Sequence, residues 1–582
     1  MREARTFIDV LRDRADSRLG LKGYTFLKDG AGLEQRLSYE ELDRRARELG
    51  GVIAAKVAPR ERVLLVFDAG LDYVVALFAC FYAGVVAVPL YAPNPLKPEA
   101  GLDHIDRVAL DCAASLGLTS AELSRRLPPL LAPLPFAGKL SWLDVAESRG
   151  EATAPLPHSG EEDVALLQYT SGSTSLPKGV MVTHRNLLHN GRHIREAFGI
   201  SEEWRTISWL PHHHDMGLMG GIIEPLFLGI EMVLFSPQLF VQRPVVFLEA
   251  ITRFRINGGG CPNFGYDLLT RRVSEAAREK LDLSSWRLAF CGAEPVRSAT
   301  LEAFARAFAG CGFQRSAFLP CYGLAEATLL VTASPPFTVP REITFDEIAL
   351  EEGRVAAVSD RGAASTRALV SCGRPPLGVR IAIVDPETGH MQPEDRVGEI
   401  WVKGPNVAKG YWGQAEATRS SFDARLETGE AGFLRTGDLG FIDGGELFVT
   451  GRLKDLIIIR GRNLYPQDVE ATVEQAHDAV RSGRVAVFSI ELLGEERLIV
   501  TCEVSKRGLA DRDAIVDAVR SAVAAAHGVT PHDVALLEPQ QLPRTSSGKP
   551  RRSLSRKQYL DSRSTSCDMI SPFPRNVRSD IR

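Results

Sequence analysis

A run of hydroxyl side chains that ends in one lysine is the segment of this sequence best suited to chemistry. From Tyr169 to His184 the chain reads Tyr-Thr-Ser-Gly-Ser-Thr-Ser-Leu-Pro-Lys-Gly-Val-Met-Val-Thr-His. Backbone N–H groups, hydroxyls and the Lys178 ammonium group are donors that phosphate oxygens accept. The order Lys178-Gly179 excludes a Walker A loop, which needs Gly-Lys followed by Ser or Thr. A flexible linker is the alternative, but the segment lies between buried apolar runs and holds a rigid proline, so we favour a phosphate-binding loop.

The elements that must position this loop are predicted from the apolar pattern. Short β-branched runs alternate with longer amphipathic stretches through roughly the first 330 residues, which is typical of sheets covered by helices and predicts an α/β fold. A helix is expected to begin near His184. Five runs are predicted as strands: residues 62–68, 164–170, 206–210, 231–235 and 287–292.

A change in the pattern of apolar and turn-forming residues along the chain predicts the domain organisation. Residues 380–459 read as strands joined by tight turns of Pro, Asp and Gly. After residue 461 the chain reads as a helix, two strands and an amphipathic stretch, which predicts a small α+β unit. We therefore expect an N-terminal domain at 1–453 with a β-rich subdomain at about 371–453, a C-terminal domain at 454–560, and a tail without regular structure at 561–582.

The composition excludes several classes of protein. The 582 residues hold 69 Lys plus Arg against 73 Asp plus Glu, so nucleic acid is not the expected partner. The nine cysteines are never spaced as CxxC, and the charged N-terminus lacks the apolar core of a signal peptide. We expect reduced thiols and a cytoplasmic protein. Residues 73–96 carry no charge, but Gly84 and Pro89 interrupt them, so a buried helix and strand are predicted there rather than a membrane span.

Four further segments follow the hydroxyl-rich loop in a fixed order. They are Tyr-Gly-Leu-Ala-Glu-Ala-Thr at 322–328, Arg-Thr-Gly-Asp at 435–438, Gly-Arg-Leu-Lys-Asp at 451–455 and Pro-Arg-Thr-Ser-Ser-Gly-Lys at 543–549. With the loop, they resemble the motifs of the adenylate-forming ligases: acyl-CoA synthetases, peptide-synthetase adenylation domains and luciferases. The resemblance covers about residues 1–560. It implies ATP, Mg²⁺ and a mobile C-terminal lid domain.

The resemblance also implies a role for each matched residue. Glu326 becomes the Mg²⁺ ligand beside the ATP phosphates, because a hard cation prefers oxygen. Asp438 becomes the acceptor for both ribose hydroxyls. Lys549 stabilises negative charge at the α-phosphate and the acyl carboxylate, and Lys454 is the hinge. The implied nucleotide-binding residues are Thr170, Ser171, Gly172, Ser173, Thr174, Lys178, Gly292, Ala293, Glu294, Tyr322, Gly323, Asp438 and Arg452.

Ordinary structural roles are the alternatives for these residues. Glu326 would be an exposed loop acid, Tyr322 a core residue instead of a platform for adenine, and Asp438 a turn cap. Lys549 would be a solvated charge in a basic stretch. We favour the functional roles for these four, and the sequence leaves both interpretations of Lys454 open.

Three consecutive histidines, His212 to His214, invite a zinc interpretation. Successive residues point in different directions and no distant Cys/His pair completes a tetrahedral set, so zinc is given little weight. The resemblance places His214 near the acyl carboxylate, which makes His214, Glu326 and Lys549 the implied catalytic set. It also makes residues 217–223 an apolar wall, for which helix packing by small residues is the alternative.

Several short segments of the sequence are similar to those of one branch of the superfamily, the fatty acyl-AMP ligases. Residues 336–369 resemble the insertion that distinguishes this branch from acyl-CoA ligases, and a variable surface loop is the alternative. Ser175 departs from the pattern, because the family's loop usually has Gly there and serine is expected to strain or slow the site. The matching segments are residues 208–218, 262–269, 291–297, 322–329 and 370–378.

The implied function is ATP-dependent activation of a fatty acid to an acyl-adenylate with release of pyrophosphate. The acyl group then passes to the phosphopantetheine thiol of an acyl carrier protein, or of a carrier domain in a polyketide or peptide synthase. Transfer to free CoA, activation of an amino or aryl acid, and a non-catalytic scaffold that only binds nucleotide are the alternatives. Chain length and carrier identity are not fixed by the sequence.

Overall fold

The computed structural model describes residues 4–30, 32–95, 98–146, 156–170, 177–358, 366–459, 462–492, 495–505, 508–545 and 548–564. Two large sheets make up the N-terminal part. Their strands are β1 (Gly23–Leu27), β2 (Glu34–Ser38), β3 (Arg62–Phe67), β4 (Val86–Tyr91), β5 (Leu116–Thr119), β6 (Ser141–Asp144), β7 (Val164–Thr170), β8 (Lys178–Thr183), β9 (Arg205–Ser208), β10 (Glu231–Phe235), β11 (Gly258–Gly260), β12 (Leu288–Cys291), β13 (Phe318–Gly323) and β14 (Leu330–Ala333).

Both sheets are mainly parallel. One has the order β6-β5-β3-β4-β7-β8 and the other the order β14-β13-β12-β11-β9-β10-β1-β2, with antiparallel pairs at β7/β8, β13/β14 and β1/β2. Parallel strands are covered on both faces, which explains why β3 is buried along nearly its whole length. The five predicted strands are confirmed as β3, β7, β9, β10 and β12.

Helices pack on these sheets and between them. They are α1 (Phe7–Ala15), α2 (Tyr39–Ala54), α3 (Leu71–Tyr82), α4 (Glu99–Asp111), α5 (Ala121–Leu131), α6 (His184–Phe198), α7 (Asp215–Leu218), α8 (Glu224–Leu228), α9 (Pro237–Gln242), α10 (Val245–Phe254), α11 (Asn263–Arg272), α12 (Glu275–Arg278) and α13 (Ser298–Phe308). The predicted helix start at His184 is confirmed, since Thr183 caps α6 there. The uncharged segment forms α3 and β4, as predicted, and no described helix is long and apolar enough to cross a bilayer.

An antiparallel part follows. The pair β15 (Glu342–Asp346) and β16 (Thr366–Val370), with α14 (Glu347–Glu351) after its first strand, comes from the predicted insertion, of which residues 359–365 lie outside the described ranges. Next comes a four-stranded sheet with α15 (Ala415–Phe422) beside it. This sheet confirms the prediction that the region is rich in β-strands. Its strands are β17 (Arg380–Val384), β18 (Gly398–Lys403), β19 (Leu434–Asp443) and β20 (Glu446–Arg452).

The C-terminal part is a small α+β unit with its own apolar core. Its helix α18 continues past residue 561, where we predicted the unstructured tail to begin, because Tyr559 is buried in a second small core. Residues 565–582 lie outside the described ranges. The elements are β21 (Ile457–Ile459), β22 (Arg462–Leu464), α16 (Pro466–Ala476), β23 (Val480–Leu492), β24 (Glu495–Val504), α17 (Arg512–His527), β25 (Asp533–Leu537) and α18 (Arg552–Ser564).

The cysteines of the described ranges are free thiols. Cys321 is partly accessible and the others are buried, and burial raises the pKa of thiols such as Cys80. Cys567 lies outside the described ranges.

Candidate functional site

Lys178 is the first residue of the strand that leaves the predicted phosphate-binding loop. The antiparallel pairing of β7 and β8 sets Thr170 opposite Lys178. The Lys178 ammonium nitrogen lies 4.8 Å from the centre of the Tyr411 ring, a distance typical of a cation–π contact. The loop residues of the prediction lie outside the described part of the chain: Ser171, Gly172, Ser173, Thr174 and Ser175.

Glu326 lies in the turn between β13 and β14. The 3-10 helix Ala325–Ala327 forms this turn, and the Ala408 N–H donates to the Glu326 carbonyl oxygen at 2.9 Å. The Tyr411 hydroxyl donates to Oε1 of Glu326, also at 2.9 Å. Burial, and then the Glu326 charge, raise the pKa of Tyr411, so its hydroxyl remains a donor. One tyrosine thus contacts both the Lys178 ammonium group and the Glu326 carboxylate.

Asp438 is held by two donors. The Tyr322 hydroxyl donates to Oδ2 at 2.8 Å, and Nε of Arg452 donates to Oδ1 at 2.7 Å. The pairing of β19 with β20 sets Asp438 opposite Arg452, which fixes this ion pair in the sheet. The Asp438 charge is the largest cause of a raised pKa at Arg452. We predicted separate contacts to a nucleotide, whereas the structure joins the three residues in one network.

Tyr322 and Gly323 end strand β13. Tyr322 is buried in the apolar core and also lines the cavity described below, so its position is compatible with both roles considered for it. Gly323 passes very close to the next strand. A Cβ added to it would lie 1.8 Å from the Leu329 carbonyl oxygen, which explains why glycine stands at this position.

The loop after β12 holds three of the predicted nucleotide contacts. Gly292 is buried against β13, where an added Cβ would lie 2.9 Å from the Cys321 carbonyl oxygen. Ala293 has a φ of +69°, a left-handed conformation that is uncommon for a residue other than glycine. Oε1 of Glu294 is buried and has no hydrogen-bond partner among the described residues. Uncommon backbone angles of this kind concentrate at ligand-binding loops.

Lys549 reaches this loop from the C-terminal part. Its ammonium group donates to the Ala293 carbonyl oxygen. Its own loop is closed by a bridge between Arg544 and Pro550 and by the Thr545 N–H, which donates to the Lys549 carbonyl oxygen at 2.8 Å. Solvent reaches the side chain through the cavity, but the surrounding protein displaces much of the water around the ammonium group. That desolvation lowers the pKa of Lys549, and the nearby Glu294 charge opposes it.

Lys454 lies directly after β20, in the 3-10 helix Leu453–Asp455. Desolvation by nearby protein, and then the Arg452 charge, lower its pKa. The side chain is nevertheless exposed, so a solvated surface charge stays open beside the hinge role. A hinge at Lys454 stays a prediction.

The three histidines lie at the start of α7. His214 is the N-cap residue of α7, and the centres of the His213 and His214 rings are 4.5 Å apart. No group of three or more His, Cys, Asp or Glu side chains in the described ranges could hold a metal ion. Burial lowers the pKa of His214 to about 4, opposed by Asp215 and reinforced by Lys549, so its ring is neutral at neutral pH.

A cavity of about 2240 Å³ joins these groups. Its lining also includes apolar side chains from α6 and the larger sheet, among them Ile194, Phe198, Ile207 and Met232. It therefore has a charged region and an apolar region. The predicted site residues that line it are Lys178, His214, Ala293, Glu294, Tyr322, Gly323, Glu326, Asp438, Arg452, Lys454 and Lys549.

The predicted apolar wall is only partly correct. Gly217 and Gly220 line the cavity, whereas Leu218, Met219 and Ile222 are buried in the core of the N-terminal part. Residues on one helix turn in different directions, so a single segment cannot turn all its side chains toward one cavity.

Tyr411 was missed by the sequence analysis. It reaches the site because its segment pairs with β8: Val180 bridges Tyr411, and the Met181 N–H donates to the Gly410 carbonyl oxygen at 2.9 Å. This pairing joins segments that lie more than two hundred residues apart, and no local motif marks it.

The chain is similar to known proteins along nearly its whole length. Residues 20–412 match the family model described as AMP-binding enzyme, and residues 454–568 match a model described as the AMP domain of Disco-interacting protein 2-like proteins. A medium-chain-fatty-acid–acyl-carrier-protein ligase of Moorena producens is 43% identical, with 96% of each chain covered. A long-chain-fatty-acid–AMP ligase of Mycolicibacterium smegmatis is 34% identical, with 96% of this chain and 94% of that protein covered.

Solved structures give the same result. The crystal structure of a fatty acid AMP ligase from Legionella pneumophila is 40% identical and has a TM-score of 0.76, with 96% of each chain covered. A structure from work on fatty acyl-adenylate ligases of E. coli and L. pneumophila is 33% identical and has a TM-score of 0.87, with 97% of this chain and 99% of that chain covered. These matches confirm the predicted α/β fold class and the resemblance. The chain belongs to the AMP-binding enzyme family, in its fatty acyl-AMP ligase branch.

Proposed function

We propose that this protein activates a fatty acid with ATP and then transfers the acyl group to the phosphopantetheine thiol of an acyl carrier protein. The observation that carries the proposal is the cavity, in which charged groups suited to a nucleotide adjoin an apolar lining suited to an acyl chain. The name of the Moorena producens relative, a fatty-acid–acyl-carrier-protein ligase, supports both steps, and the name of the Mycolicibacterium smegmatis relative, a fatty-acid–AMP ligase, supports the first.

In the first half-reaction, a carboxylate oxygen of the fatty acid attacks the α-phosphorus of ATP. The bond between that phosphorus and the bridging oxygen breaks, and pyrophosphate leaves. We assign the Lys549 ammonium group to the negative charge that develops on the α-phosphate. Lys178 would hold the outer phosphates, and the neutral His214 ring would lie beside the acyl carboxylate. Positioning and charge supply the catalysis, so no protein nucleophile is needed.

The nucleoside would be held by the groups around Tyr322. The Asp438 carboxylate has lone pairs left for ribose hydroxyls after it accepts from Tyr322 and Arg452. Ala293, Glu294 and Gly323, which line the cavity, would lie beside the base and the phosphates. Thr170 and Gly292 are not among its lining residues, and their contacts to the nucleotide stay predictions.

The Glu326 carboxylate has an oxygen that could bind a Mg²⁺ ion. One carboxylate with a single hydrogen bond to Tyr411 keeps acceptor capacity on its second oxygen. Mg²⁺ beside a nucleotide is usually bound by one or two carboxylates and by phosphate oxygens, so a complete protein cage is not required. The ion would neutralise phosphate charge.

In the second half-reaction, the thiol sulfur attacks the acyl carbonyl carbon. The bond from that carbon to the AMP oxygen breaks, AMP leaves and the thiol proton passes to solvent. Lys549 contacts Ala293 in the structure, so we propose that the C-terminal unit, 454–560, moves away about Lys454 to admit the carrier arm. The domain boundaries at 453 and 454 and the insertion at 336–369 belong to this proposal.

Pyrophosphate exchange tests the first half-reaction. The wild type should form labelled ATP from labelled pyrophosphate only when a fatty acid is present. Lys549→Ala should lower this exchange by about two to three orders of magnitude, because a charge aimed at the transition state is lost. Lys557→Ala removes an exposed lysine of α18 and should change nothing. Full exchange in Lys549→Ala would contradict the assigned role.

An acceptor comparison tests the second half-reaction. We expect the acyl group to pass to a holo acyl carrier protein in preference to free CoA. A large preference for CoA would identify an acyl-CoA synthetase instead. Nucleotide binding by calorimetry, without AMP or pyrophosphate from any acid, would identify a non-catalytic scaffold.

A further inference from the structure

Glu224 is a buried acid at the start of α8. Its side chain is 3% exposed, and neither carboxyl oxygen has a hydrogen-bond partner among the described residues. The cation that acts on it, Arg195, is engaged elsewhere: its guanidinium donates to the Phe227 carbonyl oxygen at 3.0 Å and lies 4.8 Å from the centre of the Phe227 ring. A buried polar group left unpaired is costly and uncommon in folded proteins, so such a group calls for an explanation.

Glu224 faces the cavity. It follows α7 and the π-helix Met219–Ile223 directly, and it lines the cavity together with Gly217 and Gly220 of the same helical stretch. Their spacing places the three residues on one face of the helix. No atom of the described residues lies within 4 Å of a Cβ added to Gly220, so the described part of the chain leaves this face of the helix open.

The other polar side chains nearby in the cavity wall are satisfied. Thr206 donates to the Glu231 carbonyl oxygen at 3.4 Å, and the Ser208 hydroxyl accepts from the Leu210 N–H at 3.2 Å. Apolar side chains such as Ile230 line the cavity beside them. Of these three polar residues, only Glu224 has side-chain oxygens without a hydrogen-bond partner among the described residues.

The helix sets the distance from the reaction centre. Glu224 lies ten positions after His214, the N-cap of α7. At about 1.5 Å per residue the separation is roughly 15 Å. An extended chain advances about 1.2 Å per bond, so roughly twelve bonds of an acyl chain span it. An acyl chain of medium length would thus end beside Glu224.

We propose that Glu224 is a specificity-determining residue, which selects acyl chains that carry a hydroxyl group at or near the end remote from the carboxyl. The inference rests on the proposed function, because it places the reacting carboxyl beside His214. It assigns a substrate class, a medium-chain hydroxy acid, to the apolar region of the cavity.

A hydroxyl group is the hydrogen-bond partner best suited to the protonated form of the Glu224 carboxyl. Burial raises the pKa of Glu224 to about 8, and Arg195 opposes the shift, so the carboxyl is mainly protonated at neutral pH. A protonated carboxyl both donates and accepts, as a hydroxyl does, and the two satisfy each other. An ammonium group at the end of the chain would need an ionised carboxylate instead.

The test compares pyrophosphate exchange with two series of acids of about ten to fourteen carbons, one unsubstituted and one with a terminal hydroxyl. The quantity is the ratio of kcat/KM for the hydroxy acid to that for the plain acid of equal length. Glu224→Leu should lower this ratio about tenfold at the preferred length, because the hydroxyl loses its partner. Glu224→Gln should keep most of it, since an amide also donates and accepts.

Controls separate this role from a structural one. Glu249→Leu introduces the same change at an exposed position of α10 and should leave the ratio unchanged. Glu224→Met provides a second apolar variant if leucine does not fold. An equal ratio in wild type and apolar variants at every length would overturn the inference alone. Exchange with none of the acids would overturn the proposed function and the inference together.

Discussion

At the scale of single residues, Tyr322 differs most from its predicted role. Its hydroxyl contacts Asp438, so the aromatic side chain also orients the acid proposed to bind ribose. Tyr322→Phe should keep the ring but leave Oδ2 of Asp438 without this donor. We expect KM for ATP to rise about fivefold with little change in kcat, since one hydrogen bond contributes about 1 kcal/mol.

Pyrophosphate exchange at varied ATP concentration measures the Tyr322→Phe effect. Tyr465→Phe changes another buried tyrosine and should leave KM for ATP unaltered. A KM equal to that of the wild type in Tyr322→Phe would mean that Arg452 alone orients Asp438.

The pKa of Lys549 predicts a pH limit for the reaction. Desolvation lowers this pKa below the ordinary 10.5 of lysine, with Glu294 opposing. The ammonium form is the active one, so activity should fall as pH rises, and at a lower pH than an ordinary lysine would give. Lys549→Arg should lower the rate of pyrophosphate exchange. It should also shift the alkaline fall of the exchange rate to higher pH, because arginine stays charged. If exchange falls at the same alkaline pH in the wild type and in Lys549→Arg, the fall is caused by the titration of another group.

At the scale of elements, the segment β15-α14-β16 joins the N-terminal part to the C-terminal unit. Nε of Arg462 donates to the buried Glu351 carboxylate at 2.7 Å, and Nδ1 of His527 lies 3.5 Å from Oε1 of Glu347. Arg367 also pairs with Asp468, at 3.1 Å. These contacts hold helix α17 and the start of α16 against the segment.

Glu351→Gln should loosen this attachment. The glutamine keeps the shape but loses the charge opposite Arg462, and because Arg462 is one-third exposed we expect a loss of about 1 to 2 kcal/mol. Hydrogen exchange of α16 and α17 would be faster in the variant. Glu352→Gln removes an exposed neighbouring charge and should have no such effect. Unchanged protection in Glu351→Gln would show that the remaining contacts suffice.

At the scale of the whole molecule, buried histidines predict how stability depends on pH. Burial lowers the pKa of His104, His184, His212 and His214 to about 4, from an ordinary 6.5. Between these values the unfolded chain binds more protons than the folded one, so stability is full above pH 6.5 and is lost as pH falls toward 4. At pH 5 the loss is up to about 2 kcal/mol per histidine.

Thermal unfolding at pH 7 and pH 5 checks this prediction, with a lower midpoint expected at pH 5. His184 accepts a hydrogen bond from the Phe7 N–H at 3.4 Å through Nδ1, which a protonated ring could not do. His184→Gln keeps an acceptor that does not titrate, so the difference between the two midpoints should shrink. Equal midpoints at both pH values in the wild type would contradict the prediction.

The sequence by itself determined the fold class, the buried strands and the family. Each of these depends on local patterns: apolar periodicity sets strands and helices, and five motifs in a fixed order carry the resemblance. The helix start at His184 follows from residues within one turn of it.

Only the tertiary structure decided which side chains meet. Tyr411 reaches Glu326 and Lys178 through a pairing between distant segments, and Lys549 reaches Ala293 across two parts of the chain. That Glu224 has no hydrogen-bond partner among the described residues likewise depends on how neighbouring elements pack around it. Contacts between residues far apart in the chain leave no periodic signal, because they are fixed by how the elements pack rather than by local spacing.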